Sequence, residues 1–294
     1  MRTRSACSLL LRALPSEVLL VLKKWGCRVI VILREHWQHR RQILELAKTD
    51  LAKTYRGAAL GWSWAVIKPA ATIIVLYLAL TFGLRANGTI ASGTPYYVWL
   101  TVGMIPWFYM SDMLTAGGDS IRSYPYLITK MRFPVSTITT FVGLSKLYVH
   151  LFLLVMLFAI YFLEGGTLDW YLVQLPLYVL LMFAFSTSWA LLAAPLSALS
   201  KDFSSLVKSV TTPIFWLSGI IWDPETVQNT ALKVFLNLNP FTFIARGYRD
   251  VFVYKQWIWE HPQWVGGFLA VFTIQVALAV RTHQRLRKEL PDVL

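Results

Sequence analysis

The feature that most limits what this chain can fold into is a series of long apolar runs with nearly all Lys and Arg placed between them. A helix needs about 20 residues to cross roughly 30 Å of hydrocarbon. Runs of that order recur over 63–84, 96–116, 135–163, 171–199, 205–222 and 263–281. Inside a bilayer no water pairs with free peptide groups, so each such run must satisfy its own backbone as a helix. Charged residues make up only 15% of the 294, against about a quarter in an ordinary soluble domain. The sequence predicts an all-α integral membrane protein with six transmembrane helices.

The formal net charge of +13 is sorted by loop. The segment before the first run is rich in Lys and Arg. The connection after the second run carries Arg122, Lys130 and Arg132, and that after the fourth carries Lys201. The tail adds Arg281, Arg285, Arg287 and Lys288. Of the alternate connections, that after the first run holds only Arg85 and that between the third and fourth runs holds no Lys or Arg. This asymmetry, with an even number of spans, predicts two cytoplasmic termini. Basic loops of this kind face anionic lipid. No recognition motif or basic soluble face points to nucleic acid.

Three regions follow: a basic extension over 1–42, the membrane domain over 43–281 and a basic tail over 282–294. Lys23, Lys24 and Arg28 break the apolar stretch 17–33, and each would cost about 2.5–3.5 kcal/mol at the centre of a span. An interfacial helix is expected there instead. The first residues carry no convincing cleavage pattern, so a removed signal peptide is not expected. Cys7 and Cys27 have no metal or redox spacing. Ile43, Leu44, Ala47, Leu51 and Tyr55 recur at helical spacing and predict an amphipathic interface helix stopped by Gly57. Before the last span, 229–254 is semi-apolar and broken at Asn239-Pro240. Each half has about ten residues, too few to cross, which predicts a re-entrant helical hairpin. A pair of helices on the membrane surface is the alternative.

No Gly-Lys step exists, so the chain has no phosphate-binding P-loop, and HExxH, CxxC and GxSxG are absent. Asp112 is the clearest acid within a span. Proton-coupled carriers and membrane acid–base enzymes need several such groups, so no catalytic residue and no metal ligand is assigned. Work against a gradient would draw its energy from a partner.

Four stretches carry a resemblance. They are YRGAALGWSWAVIKP, with Tyr55-Arg56, Leu60-Gly61, Trp64 and Pro69; VGMIPWFYMSDML with SIRSYPYLITKMRFP; LSKDFSSLV; and LNLNPFTFIARGYRDVF. In this order and spacing, over about 43–280, they resemble the membrane subunits of type-2 ABC exporters of polysaccharide, O-antigen or teichoic acid. Lys201 stands where that family usually has Arg. Gly219 stands where Pro is frequent, which is expected to loosen the outer end of the fifth span. The resemblance implies a homodimer in the bacterial inner membrane, bound to two copies of a separate ATPase subunit that holds ATP and Mg. It implies no cofactor in this chain, a passage on the dimer axis lined by the first, second and fifth spans, and a lipid-linked glycan as substrate.

Sugar C–H faces stack on aromatic rings while polar ring tips meet hydroxyls. Trp62, Trp64, Trp107, Phe108, Tyr109, Trp216 and Trp222 are therefore candidate channel-lining aromatics. Interfacial anchoring competes for Trp62 and Trp222, and core packing for Trp107. Arg56, Tyr55 and Arg41 are candidates for meeting a pyrophosphate head group, because guanidinium forks match phosphate oxygens. Attraction to anionic lipid, about 1 kcal/mol per charge, is the competing role. Lys68 is placed to snorkel, and Lys146 and His150, four apart on the third span, are expected to be paired rather than catalytic. The segment 120–134 reads as a coupling helix docking on the ATPase through Tyr124, Tyr126, Leu127 and Lys130. Asn239, Pro240, Arg246 and Arg249 form a candidate outer gate, with pairing to Asp250 or lipid phosphate as the other role of the arginines. Two other functions share parts of this pattern: an exporter of small lipids or drugs, and a multi-span glycosyl- or acyltransferase. The transferase needs clustered His or Asp at a membrane face, which the sequence lacks.

Overall fold

The computed structural model describes residues 30–83, 93–131, 133–287 and 289–290. Most of the interfacial helix expected over 17–33 lies outside the described residues, which are helical from residue 30. No β-strand occurs among them. Eleven helices are labelled here: α1 Arg40–Tyr55, α2 Trp64–Leu78, α3 Tyr96–Asp112, α4 Ser120–Ser123, α5 Pro125–Thr129, α6 Val135–Leu163, α7 Leu175–Leu199, α8 Lys201–Trp216, α9 Thr230–Leu238, α10 Pro240–Arg249 and α11 Pro262–Leu286.

Among the described residues four helical segments are long and apolar enough to cross a membrane: Gly61–Gly83, Val135–Leu163, Trp170–Leu199 and Pro262–Leu286. α3 runs on through a widened turn at Met113–Gly117. Nearly every residue from Val98 to Met110 is buried, so α3 is the central post. Trp99, Leu100, Met104, Ile105 and Met110 anchor the main core with Tyr178, Tyr248 and Phe268. A second core joins α1 to the α4–α5 segment and to the start of α6. There α1 buries Ile43, Ala47 and Leu51, four residues apart on one stripe. The chain then turns at Gly57, whose φ of 82° favours glycine.

The fifth apolar run departs from expectation. Its helix begins at Lys201, where Ser200 caps it by accepting a 3.3 Å hydrogen bond from the Phe203 amide. It ends at Trp216, not at 222. The buried stretch 218–221 is irregular, and Gly219 sits at φ 57°. Side chains from other elements take up its carbonyls. Ser218 accepts from the Thr242 hydroxyl at 3.1 Å and Gly219 from Arg249 Nη1 at 2.8 Å. Ile220 accepts from the other Arg249 nitrogen, and Ile221 from the Tyr96 hydroxyl at 2.9 Å. Irregular backbone away from water persists only when its polar groups are paired in this way. Gly219 therefore fastens the end of the run rather than loosening it. A Cβ there would also run into Pro224.

The Asn239-Pro240 break separates α9 from α10 as the sequence predicts. Asn239 Oδ1 accepts from the Phe241 amide at 3.0 Å, and its Nδ2 donates to Ser218 Oγ at 3.2 Å. Pro240 is the first residue of α10, where a missing N–H costs nothing. The two short helices differ sharply in burial. Every residue from Thr242 to Arg249 is buried, whereas α9 buries only Leu236. α10 packs on α3, with Gly247 letting the Tyr178 ring approach its backbone.

Candidate functional site

Three neighbouring cavities share lining residues. The first, of 270 Å³, lies between α1, α4 and α6 and is edged by Asp50, Lys53 and Tyr124. It shares Thr54 and Lys146 with the second, of 590 Å³, which lies among the end of α1, α2, α3 and α6. The second shares Thr72 and Phe108 with the third, of 540 Å³, between α2, α3 and α8.

The walls mix rings, hydroxyls and charge. Tyr55, Trp64, Phe108 and Tyr109 border the second cavity, with the hydroxyls of Thr54 and Thr72 between them. Lys146 Nζ lies 3.2 Å from Asp112 Oδ2. The lysine side chain is 19% exposed and the aspartate 53%. Lys68 Nζ is 5.7 Å from the centre of the Trp64 ring, a cation–π distance. His150 is buried and bonds Nε2 to the Tyr248 hydroxyl at 2.8 Å, so Lys146 and His150 are each paired. Burial pushes the Tyr55 hydroxyl above its ordinary pKa, with Lys146 opposing, and it stays a neutral hydrogen-bonding tip.

Five of the seven aromatics named from the sequence, Trp64, Trp107, Phe108, Tyr109 and Trp216, line the second or third cavity. Trp107 is only 6% exposed and rests on Phe215 at 5.3 Å and Phe241 at 5.9 Å. Most of its ring is core, and one edge reaches the cavity. Trp62 is exposed, stacks on Tyr55 at 5.6 Å and meets Phe152 edge-on. Trp222 is half-buried and donates to the Trp216 carbonyl at 2.9 Å. Of the head-group candidates, Tyr55 lines the second cavity, while Arg41 and Arg56 are exposed and line none of the three.

The coupling segment divides by face. Tyr124 and Leu127 point inward, Tyr124 edge-on to Phe141 at 5.1 Å. Its hydroxyl donates to the Asp50 carboxylate, and burial followed by that contact pushes its pKa up. Tyr126 and Lys130 point outward. Leu127 is thus an internal anchor of the segment rather than an exposed knob.

At the other end, Asn239 and Pro240 form the joint between α9 and α10. Arg246 Nε lies 3.2 Å from Asp250 Oδ1, and its guanidinium stacks over Tyr254 at 5.1 Å and Trp264 at 5.4 Å. Arg249 is 1% exposed and lies 3.3 Å over the Trp99 ring. Gly103 leaves room for it, since a Cβ there would meet the guanidinium. Arg246 makes the Asp250 pairing weighed as its other role, whereas Arg249 donates to the Gly219 and Ile220 carbonyls. The Asp112–Lys146 pair had a signal in the sequence, two opposite charges within different spans, but no pattern that joined them.

Residues 41–253, more than half of the chain, match the ABC-2 type transporter family. The O-antigen export system permease protein RfbA of Myxococcus xanthus is 26% identical over 225 residues, covering 76% of this chain and 85% of that protein.

Proposed function

This chain belongs to the ABC-2 type transporter family, and from that premise we propose that it is the channel-forming subunit of an exporter of a lipid-linked polysaccharide. It is a multi-pass membrane protein and a transporter subunit, not an enzyme. In the proposed assembly two copies pair in the bacterial inner membrane, each with six spans, a re-entrant α9–α10 hairpin and both termini cytoplasmic. Two copies of a separate ATPase subunit bind ATP and Mg.

The observation that carries this reading is the set of three neighbouring cavities, walled by rings and hydroxyls, with Asp50 and Tyr124 at the first and Trp216 at the third. Such walls suit a long hydroxylated chain, which offers C–H faces to rings and hydroxyls to polar tips. The third cavity is bounded by α2, α3 and α8, the elements expected to face the dimer axis. The name of the Myxococcus xanthus relative supports the O-antigen class. ATP binding draws the partner subunits together. The outward face of the coupling segment, with Tyr126 and Lys130, receives that closure. Its inward face, with Tyr124 and Leu127, passes it to α1 and α6. The helices around the cavities then part, and the hairpin yields at the outer mouth.

Reconstitution with the ATPase in liposomes, with lipid-linked glycans supplied on the ATP side, tests the proposal. ATP-dependent arrival of glycan on the far side is expected. Transport of small lipids or drugs alone would replace this reading with the other exporter class.

A further inference from the structure

The second cavity holds an arrangement that an aromatic glycan track does not need. Lys68, Lys146 and Asp112 line it, giving two ammonium groups and one carboxylate. Among the described residues Lys68 has no carboxylate at ion-pair distance. Lys68 is exposed at the cavity rim, whereas Lys146 is mostly buried within a span, where charge is costly and in membrane proteins marks a ligand path. The Lys146–Asp112 pair is also lopsided: the ammonium is 19% exposed, whereas the carboxylate is 53% exposed. The lysine is the fixed partner and the aspartate the solvated one. An incoming anion that replaced Asp112 would leave Lys146 still paired and would return the carboxylate to water. Such an exchange avoids the large penalty of an uncompensated buried charge.

Resting on the exporter reading above, we infer that Lys146 and Lys68 bind the phosphate oxygens of an isoprenoid pyrophosphate carrier, and that Asp112 is the exchangeable counter-ion this head group displaces. The site differs from the exposed Arg56 and Arg41, which line none of the cavities. Lys146 borders both the first and second cavities, and Lys53 and Tyr124 border the first. A head group leaving Lys53 would meet Lys146 next and Lys68 after it. Tyr124 sits on the coupling segment, so movement of that segment reaches the same cavity. The Tyr55 hydroxyl borders the same cavity and supplies a neutral donor beside the phosphate.

Equilibrium binding of labelled farnesyl pyrophosphate to the purified full-length chain tests this, with farnesol as the phosphate-free control and phosphatidylglycerol as competitor. The parent protein is expected to bind the pyrophosphate and not farnesol. Lys146→Gln and Lys68→Gln are each expected to weaken binding about tenfold, as loss of one charge-assisted contact does. Lys146→Arg should retain binding. Asp112→Asn should tighten it several-fold, because the competing carboxylate is gone. Weaker binding on both Lys146→Gln and Asp112→Asn would make the pair structural and overturn the inference. So would equal binding of farnesol, or one-for-one displacement by phosphatidylglycerol. ATP-driven glycan export by Lys146→Gln at the parent rate would remove the head-group site and leave the exporter reading standing.

Discussion

The two ends of the helix bundle solve opposite problems with charge. Around Asp50, Asp112 and Lys146 the polar groups border cavities, and Asp112 remains half exposed. Around Arg249 the polar groups are sealed. The guanidinium is 1% exposed, is covered by the Trp99 ring and is spent on the backbone carbonyls of the 218–221 stretch. A charge kept beside space can change partners. A charge locked onto carbonyls fixes a shape. The first end is built to accommodate, and the second to hold α3, α8 and α10 in register.

The hardest blow to that contrast falls on Arg249. Arg249→Met removes two charge-assisted hydrogen bonds, each about 1.5–3 kcal/mol, and is expected to lower stability by about 3–5 kcal/mol in detergent unfolding. Arg249→Lys keeps the charge without the fork and should recover less than half of that. An unchanged unfolding midpoint for Arg249→Met would erase the distinction between the ends. Next comes the coupling segment, where the inward and outward faces separate. Leu127→Ala should cost about 2–4 kcal/mol as a core truncation. Tyr126→Ala should leave unfolding within about 0.5 kcal/mol yet reduce the ATPase recovered with the purified chain.

A smaller effect is expected at Gly103, where Gly103→Ala presses on the Arg249 guanidinium and should cost about 1–3 kcal/mol by overpacking. The smallest belongs to Asp119, which meets Lys208 at 2.7 Å and ties the end of α3 to α8. Burial pushes the Asp119 carboxyl up, but hydrogen bonds from Lys208 and Ser204 and the charges of Lys208 and Arg122 outweigh it and hold the value below the usual one. The pair stabilises the fold fully above about pH 4 and loses its contribution as pH falls through that lowered value. Because the Lys208 side chain is 56% exposed, the whole effect is about 1 kcal/mol or less. Unfolding midpoints between about pH 7 and pH 3 should therefore drop slightly more steeply in the parent than in Asp119→Asn.

The apolar runs were legible because hydropathy reads length and composition directly. α6 and the break at Asn239-Pro240 appear where periodicity and helix-stop chemistry put them. The end of α8 was not legible. Leu217 to Trp222 is as apolar as a helix, and nothing local says that a side chain 30 residues on will take its carbonyls. The surroundings of Arg246 and Arg249 were not legible for the same reason, since Trp99 and the carbonyls reach Arg249, and Trp264 reaches Arg246, from distant parts of the chain. Asp112 and Lys146 stood out singly, but cavities made by three or four helices have no signature along one strand of sequence. Lys68, read as a snorkelling side chain, is exposed at the rim of the second cavity, and only the fold brings the end of α1 to that same cavity.

The Arg249 contact also has a consequence for how the protein is made. The ribosome delivers Gly219 30 residues before Arg249, about 100 Å of extended polypeptide. Until Arg249 follows, the Gly219 and Ile220 carbonyls lack their partner in the folded protein. The irregular stretch after α8 can therefore take its final shape only once α10 has been made and has packed against it.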